Sequence, residues 1–363
     1  ERPVDLIAHN HIYLNLNDPC ALQGDLSWIK PGKAFRCGLK QKDALAAVDF
    51  AAERGLQYIE LDAGWYGPEM FMSSDATKVA EGKDLDFKAL CDYAATKGIG
   101  VWVYVNQRAL IQQLDDILPL YKKWGIKGIK FGFVQVGNQF WTIWLHNAVR
   151  KCADYGIMVD IHDEYRPTGL SRTLPNLMTQ EGIAGNETMP DARHNTTLPF
   201  TRFLAGPADY TPCYFNNRVK ATHGHQLAMP VVYYSPITFL YWYDTPQLYR
   251  GEKELDFWKH VPTTWDETYP IDGQIGEYVA IARRSGQKWF VGVMNGMDAR
   301  TLSLPTEFLQ RGKKYVVTLY EDDPDLDTRT KVATRQKTIK GGQSLKLELQ
   351  ASGGAAMEIE KAP

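Results

Sequence analysis

Alternating strand-like and helix-like segments are the feature that most limits how this chain can fold. About eight short apolar runs occur between Trp28 and Tyr243, and helical segments separate most of them. Repeated strand–helix–strand units imply parallel pairing, and eight of them favour a closed barrel. We therefore predict an α/β fold, a (β/α)8 TIM barrel. The predicted strands are 27–30, 56–65, 100–107, 125–134, 157–162, 176–182, 200–212 and 238–243, and the predicted helices include 43–55, 86–99, 109–123 and 141–156.

The pattern changes after about residue 270, where helical segments stop and short alternating runs with glycine turns take over. This style is typical of a small antiparallel β-sandwich. The predicted strand regions are 277–296, with a turn at Ser285-Gly286, then 314–322, 338–349 and 353–361. We predict a barrel domain over 1–255 and a C-terminal all-β domain over 256–363.

Composition narrows the possible partners. The formal net charge is −2 with no long basic or acidic block, which argues against a nucleic-acid or anionic-membrane partner. No apolar run reaches the roughly 18–20 residues of a membrane-spanning helix. The five cysteines are scattered and form no CxxC pair, so we expect neither a disulfide framework nor a zinc site.

Polar residues follow several predicted strands, at the end of a barrel where catalytic groups collect. Asp62 and Trp65 end the run 56–65, and Lys130 and Gly132 share the run 125–134. Alternate residues of a strand face the same side, so Gly132 must face the barrel mouth if Lys130 does. Acids and aromatic rings suit sugars, which have an apolar face and a rim of hydroxyls. We expect Asp62, Trp65, Lys130 and His162 to contact a substrate.

Two further segments carry the densest sets of charged side chains. His162, Asp163 and Glu164 follow the strand 157–162 directly, and Glu181 and Glu187 follow the strand 176–182. Asp163 and Glu164 have the hard oxygen atoms that calcium prefers. One of Glu181 and Glu187 could bind a metal while the other donates a proton, since a carboxylate-rich site raises the pKa of an acid.

At these positions the chain resembles glycoside hydrolase family 97. The resemblance lies in WIKPGK (28–33), ELDAGW (60–65), the KGIKxxF strand (127–133), HDEYRPTG (162–169), RTLPNLMTQEG (172–182) and NE (186–187). The resemblance covers essentially the whole chain, and within the family the chain is most similar to the retaining α-galactosidases of Bacteroides. It implies an exo-acting hydrolase of terminal α-galactosides in the periplasm or outside a bacterial cell.

The resemblance also implies roles for single residues. Glu187 matches the family's general acid/base, and Glu181 matches a glutamate that binds Ca²⁺. Asp163 falls where inverting members place a base, and its neighbour Glu164 is expected to serve the metal site. The family also has an N-terminal β-sandwich domain that supplies part of the calcium site. No counterpart of that domain is expected within this chain.

Gly132 is where the chain departs from the retaining pattern, because retaining members carry their aspartate nucleophile in this slot. A retaining mechanism needs two carboxyl groups, and glycine supplies none. In one explanation the aspartate has been replaced, which leaves an impaired α-galactosidase. In another the chain is an inverting α-glucosidase that uses Asp163 as base. A third explanation is a carbohydrate-binding protein without catalysis. We favour the first hypothesis.

Overall fold

A parallel β-sheet forms the first half of the fold. The computed structural model describes residues 2–9 and 11–363. In this part of the chain, seven parallel strands are hydrogen-bonded in the order β6-β5-β4-β3-β2-β1-β7. The strands are Gly32–Cys37 (β1), Tyr58–Leu61 (β2), Gly100–Asn106 (β3), Gly128–Gly132 (β4), Met158–Ile161 (β5), Leu177–Gln180 (β6) and Ile237–Leu240 (β7). The sheet is a TIM-like barrel, as predicted.

The first strand lies later in the chain than predicted. Residues 27–30 form a turn and an irregular stretch, and the strand begins at Gly32. The sequence did not indicate a strand at β1 because Lys33 and Arg36 are charged, and charged residues are uncommon in a buried strand. The Lys33 amine is satisfied by the carbonyls of Trp258 and Lys259, at 2.8 and 2.7 Å.

The strand predicted at 200–212 is also wrong. Its first part forms the helix Arg202–Ala205, and the residues after it are extended but form no regular ladder. Pro207 and Pro212 have no N–H group, which limits ladder formation there. The extended stretch still bonds to the edge strand β6 and to a residue shortly before β7, because Asp209 N donates to Gln180 O (3.0 Å) and Ala208 N donates to Tyr234 O (3.2 Å).

Helices follow most of the parallel strands, and the four helices predicted from the sequence are confirmed. Asn106 and Asn138 each cap the helix that follows, and Gly125 ends one with a left-handed backbone (φ 97°). The α-helices are Ile12–Asn15 (α1), Gln41–Glu53 (α2), Phe87–Thr96 (α3), Gln107–Trp124 (α4), Gln139–Asp154 (α5), Ala192–Thr197 (α6), Arg202–Ala205 (α7), His223–Val232 (α8) and Asp256–His260 (α9). Short 3₁₀ helices lie at Pro3–His9, Leu170–Arg172, Leu198–Phe200, Pro246–Leu248 and Lys253–Leu255.

Two antiparallel sheets form the C-terminal part, as predicted. A six-stranded sheet has the order β13-β12-β15-β10-β9-β8, and β11 pairs with β14. The strands are Glu267–Gln274 (β8), Tyr278–Ser285 (β9), Lys288–Asn295 (β10), Arg300–Leu304 (β11), Lys314–Asp322 (β12), Val332–Lys340 (β13), Leu345–Leu349 (β14) and Gly354–Lys361 (β15). The sequence missed β8 and β11 and merged β13 with β14.

Helix α8 joins the barrel to the six-stranded sheet. A β-carbon at Gly292 of β10 would lie only 2.7 Å from Ala228 O, so this glycine lets the helix approach closely. The His225 ring contacts Gly353 O at 3.1 Å, beside the start of β15. Within the described residues, no helix is long and apolar enough to cross a membrane.

Candidate active site

Lys130 lies at the centre of the barrel interior. Its side chain is fully buried, and its Nζ lies 2.6 Å from Asp209 Oδ2 and 3.7 Å from Asp160 Oδ2. Burial lowers the pKa of Lys130, but Asp209 and Asp160 outweigh it and raise the pKa above its ordinary value. Lys130 therefore stays charged under the site. Its complete burial makes it a support of the site and leaves no surface for the predicted contact with substrate.

Asp209 and Asp160 divide the charge that balances Lys130. Burial raises the pKa of Asp209, but Lys130 outweighs it and lowers the pKa below its ordinary range. Burial and the neighbouring Asp209 raise the pKa of Asp160 well above its ordinary value, and neither of its oxygens has a hydrogen-bond partner among the described residues. The site thus rests on the buried Lys130–Asp209 ion pair, and the surroundings of Asp160 favour its protonated form.

His162 links this buried pair to the carboxylates at the mouth. Its Nδ1 lies 3.3 Å from Asp209 Oδ2 and 3.4 Å from Glu181 Oε2, and its Nε2 lies 3.7 Å from Glu187 Oε1. Burial and Lys130 lower the pKa of His162, but Asp209 and Glu187 outweigh them and hold it well above its ordinary value. His162 therefore lies between three acidic side chains, which favour its protonated form.

The two glutamates differ in their access to solvent. The side chain of Glu181 is 12% exposed and that of Glu187 is 32% exposed. Burial raises the pKa of Glu181 to about 8, against the opposing effect of His162. Glu187 is thus the carboxyl group that a ligand in the mouth can reach, while Glu181 lies deeper behind it.

Two groups of side chains in this region could hold a metal ion. One is formed by His162, Glu181 and Glu187, and the other by Asp160, His162 and Asp209. The oxygens of Glu181 and Glu187 fit a hard cation such as calcium, which takes about six to eight oxygen ligands. The described residues can therefore provide part of the coordination shell of a calcium ion.

Asp163 and Glu164 belong to neither group of potential metal ligands in the described part of the chain. Glu164 is exposed, and Asp163 Oδ2 accepts a hydrogen bond from Val134 N at 3.3 Å. The contact holds the Asp163 carboxylate beside the end of β4. The structure therefore pairs Glu181 with His162 and Glu187, whereas the sequence grouped it with Asp163 and Glu164.

Asp62 faces the mouth in a salt bridge with Arg36. Arg36 Nε lies 2.6 Å from Asp62 Oδ2, and the guanidinium lies 5.3 Å from the Trp242 ring and 5.8 Å from the Tyr243 ring. Although burial raises the pKa of Asp62, Arg36 lowers it below the ordinary value. Asp62 is thus a fixed carboxylate acceptor for a hydroxyl donor.

Trp65 does not face the mouth, which corrects its predicted role. Its side chain is completely buried and packs edge-on against Phe87 and Tyr66. Its Nε1 donates to Tyr104 O at 2.7 Å. No ring face is left for a sugar, so Trp65 supports strand β3 from outside the barrel.

Gly132 faces the interior, and the ring of Tyr104 fills the space beside it. A β-carbon at position 132 would overlap the Tyr104 phenol. The neighbouring residue Phe133 has a positive φ of 47°, and Asp163 after β5 has a positive φ of 60°. Strained backbone of this kind often marks functional sites.

The sequence pointed to Glu187, Glu181, His162 and Asp62, which the structure places at one end of the barrel. It missed Asp209, Arg36 and Tyr104. Asp209 lies in the segment 200–212, which was predicted as a strand. An acidic residue after apolar residues was the signal that could have identified it as a site residue. Arg36 lies in the strand that was predicted too early in the chain. Tyr104 lies inside the predicted strand 100–107, where no sequence signal distinguished it from a core aromatic residue.

Family models match both parts of the chain. A model described as "Glycoside hydrolase 97" matches residues 22–183, and one described as "Glycosyl-hydrolase 97 C-terminal, oligomerisation" matches residues 264–360.

Curated relatives extend the match over nearly the whole chain. It is 33% identical to "Retaining alpha-galactosidase" of Bacteroides thetaiotaomicron over 98% of its own length and 58% of that protein's. It is 32% identical to "Probable retaining alpha-galactosidase" of Streptomyces bingchenggensis over 93% of its length and 54% of that protein's. The chain spans little more than half the length of these relatives.

Solved structures agree with this result. A family 97 enzyme from Pseudoalteromonas sp. strain K8, solved in complex with acarbose, matches with a TM-score of 0.89 at 27% identity, over 99% of this chain and 64% of that one. Alpha-galactosidase I from Mortierella vinacea shares the fold, with a TM-score of 0.60 at 12% identity, over 93% of this chain and 98% of that one. The chain belongs to glycoside hydrolase family 97.

Proposed function

We propose that this chain is the catalytic part of an exo-acting hydrolase of terminal α-galactosides. The observation that carries the proposal is Glu187, a partly exposed carboxyl group that stands 3.7 Å from the buried His162 ring. Two curated relatives at 33% and 32% identity carry the name α-galactosidase, which supports galactose as the sugar.

In this proposal Glu187 donates a proton to the glycosidic oxygen as the bond to the anomeric carbon breaks. Asp62, fixed by Arg36, accepts hydrogen bonds from sugar hydroxyls. His162 lies 3.7 Å from Glu187 on one side and 3.3 Å from Asp209 on the other. Lys130 keeps Asp209 ionised. Each buried group thus has one task, which is to fix the orientation of the next group towards the mouth.

Calcium fits the proposal as a bound ion. Glu181 would provide a carboxylate oxygen while Glu187 keeps its proton, and the remaining ligands would be water or groups beyond the described residues. A bound cation orients and polarises groups near it. Removal of the ion with EGTA, followed by a thermal unfolding scan with added Ca²⁺, tests binding without relying on turnover. If added Ca²⁺ leaves the melting temperature unchanged, this part of the proposal is contradicted.

Two routes are open for the second half of the reaction. The names of the relatives support retention, which would make Gly132 the site of a replaced nucleophile and the present form impaired. The position of Asp163 supports inversion, because its carboxylate is anchored at the end of β4 by Val134 N. In that second candidate, Asp163 takes a proton from the attacking water.

The decisive experiment follows hydrolysis of 4-nitrophenyl α-galactoside by the full-length protein, with proton NMR of the first anomer released. Retention gives α-galactose first, and inversion gives β-galactose first. Azide is added in parallel, because a vacant nucleophile slot should yield β-galactosyl azide. The matching α-glucoside is the control for sugar preference, since the Pseudoalteromonas enzyme was solved with acarbose.

The outcomes separate the hypotheses clearly. Faster hydrolysis of the α-glucoside would replace galactose by glucose as the substrate. Calcium-dependent galactose binding without turnover, with or without azide, would leave a carbohydrate-binding protein. A lack of both binding and turnover would overturn the proposed function.

A further inference from the structure

Tyr104 and Gly132 form a matched pair on neighbouring strands. In the ladder between β3 and β4, Tyr104 is paired with Lys130 and Asn106 with Gly132, and the Tyr104 ring leans towards the mouth over the glycine. A β-carbon at position 132 would overlap the phenol ring. Any side chain at residue 132 therefore requires the Tyr104 ring to leave its place.

The same arrangement recurs at the other end of these strands. Gly128 of β4 is paired with Trp102 of β3, and a β-carbon at Gly128 would overlap the indole ring. Strand β4 thus has a glycine at each of the two positions that an aromatic ring of β3 covers. This repetition explains Gly132 as part of the packing between the two strands.

The Tyr104 hydroxyl is free to bind a ligand. The residue is only 4% exposed, yet within the described part of the chain its oxygen makes no hydrogen bond and is not sealed from solvent. Burial, followed by the charges of Glu69 and Asp163, raises the pKa of Tyr104. The phenol is therefore neutral and offers a hydrogen bond towards the mouth.

We propose that Tyr104 contacts the substrate and occupies the place of a nucleophile at residue 132, so that water, not a protein side chain, attacks the anomeric carbon. This inference rests on the proposed function and specifies its reaction route. The water oxygen forms the new bond to the anomeric carbon while the bond to the leaving oxygen breaks. The leaving oxygen takes a proton from Glu187, and the water loses one to a carboxylate at the mouth.

A covalent role for Tyr104 itself is disfavoured by the same surroundings. A phenol attacks as its phenolate, and Glu69 and Asp163 oppose a further negative charge beside them. The hydroxyl instead suits a hydrogen bond to the attacking water or to a sugar oxygen.

The first test is Tyr104→Phe in the full-length protein, which removes the hydroxyl and keeps the ring. We expect kcat/KM for 4-nitrophenyl α-galactoside to fall about 10- to 100-fold, as for the loss of a hydrogen bond to the reacting groups. Tyr121→Phe is the matched control, because Tyr121 is buried in the core and its hydroxyl donates to Ala76 O. An unchanged kcat/KM in a folded Tyr104→Phe protein would overturn the proposal.

The second test concerns the slot itself. Gly132→Asp alone should lower the melting temperature and give no gain in activity, because the ring and the carboxylate compete for one space. Gly132→Asp combined with Tyr104→Ala should release α-galactose first, by retention, whereas the parent releases β-galactose first. Retention by the parent, or full activity of Gly132→Asp with Tyr104 in place, would overturn the proposal.

Binding provides a readout that does not depend on turnover. If the parent does not hydrolyse the substrate, calorimetry with galactose should show about tenfold weaker binding by Tyr104→Phe. Equal affinities would contradict contact between Tyr104 and the sugar. If neither protein binds galactose or hydrolyses any glycoside, the proposed function fails, and the inference about Tyr104 fails with it.

Discussion

Lys130 Nζ lies 2.6 Å from Asp209 Oδ2, and both side chains are fully buried inside the barrel. Lys130 also lies 4.0 Å from the centre of the Trp242 ring. Asp209 in turn is 3.3 Å from His162 Nδ1, which leads to Glu187. The Lys130–Asp209 pair is thus the innermost part of a connected set of charged side chains that ends at the partly exposed Glu187.

Replacing Lys130 by methionine should strongly destabilise the fold. The substitution leaves Asp209 buried without its counter-charge, so we expect the free energy of unfolding to fall by about 3–5 kcal/mol. Urea unfolding at pH 7 measures this. Asp92→Asn, which breaks the exposed pair with Lys88, should cost no more than about 1 kcal/mol. If both variants lost the same free energy of unfolding, the buried pair would contribute no more to stability than the exposed pair does.

Replacing Glu187 by glutamine should remove the proton donor and leave the fold intact. We expect kcat/KM for an α-galactoside with a poor leaving group to fall by a factor of about 10²–10⁴, and less for 4-nitrophenolate, which needs little protonation. Steady-state kinetics with both substrates measure the difference. Glu164→Gln is the control, because Glu164 is exposed and outside both metal-capable groups. A similar loss in both variants would contradict the assignment of Glu187.

His225 should make the fold sensitive to mild acid. Burial lowers the pKa of His225 from 6.5 to about 4 in the folded chain. The unfolded chain therefore binds more protons between these two values, so stability falls as the pH drops from 6.5 towards 4. The full loss is about 3 kcal/mol.

Urea unfolding at pH 7 and pH 5 should show this dependence, and His225→Gln should weaken it. The exposed His9 gives the control variant His9→Gln, which should behave as the parent does. A parent whose stability rises on acidification would contradict the sign of the effect.

Trp65→Phe should affect stability and spare substrate binding. It removes the bond from Nε1 to Tyr104 O and leaves a small cavity in the core, which together cost about 1–3 kcal/mol. Because Trp65 has no exposed surface, KM should stay within about twofold of the parent value. A large rise in KM without a loss of stability would show that Trp65 does reach the substrate.

Local sequence patterns were sufficient for much of the fold. Strand β12 and the helices α3 and α5 follow from apolar periodicity and from caps such as Asp86 and Asn138. Strand β1 escaped because Lys33 and Arg36 find partners far away in the chain, at Trp258 and Asp62. A local pattern cannot show that a distant carbonyl or carboxylate will satisfy a buried cation.

The sequence by itself determined the alternating αβ architecture, the all-β C-terminal part and the carboxylates Glu181 and Glu187 after a strand, because these depend on periodicity and short motifs. Only the tertiary structure decided which acids meet. It brought Asp209 to Lys130, a separation of 79 residues, and buried Trp65 behind Tyr104. It also filled the space beside Gly132 with a phenol. Such pairings depend on the register between strands and on the space left by neighbouring side chains, which a single strand's sequence does not contain.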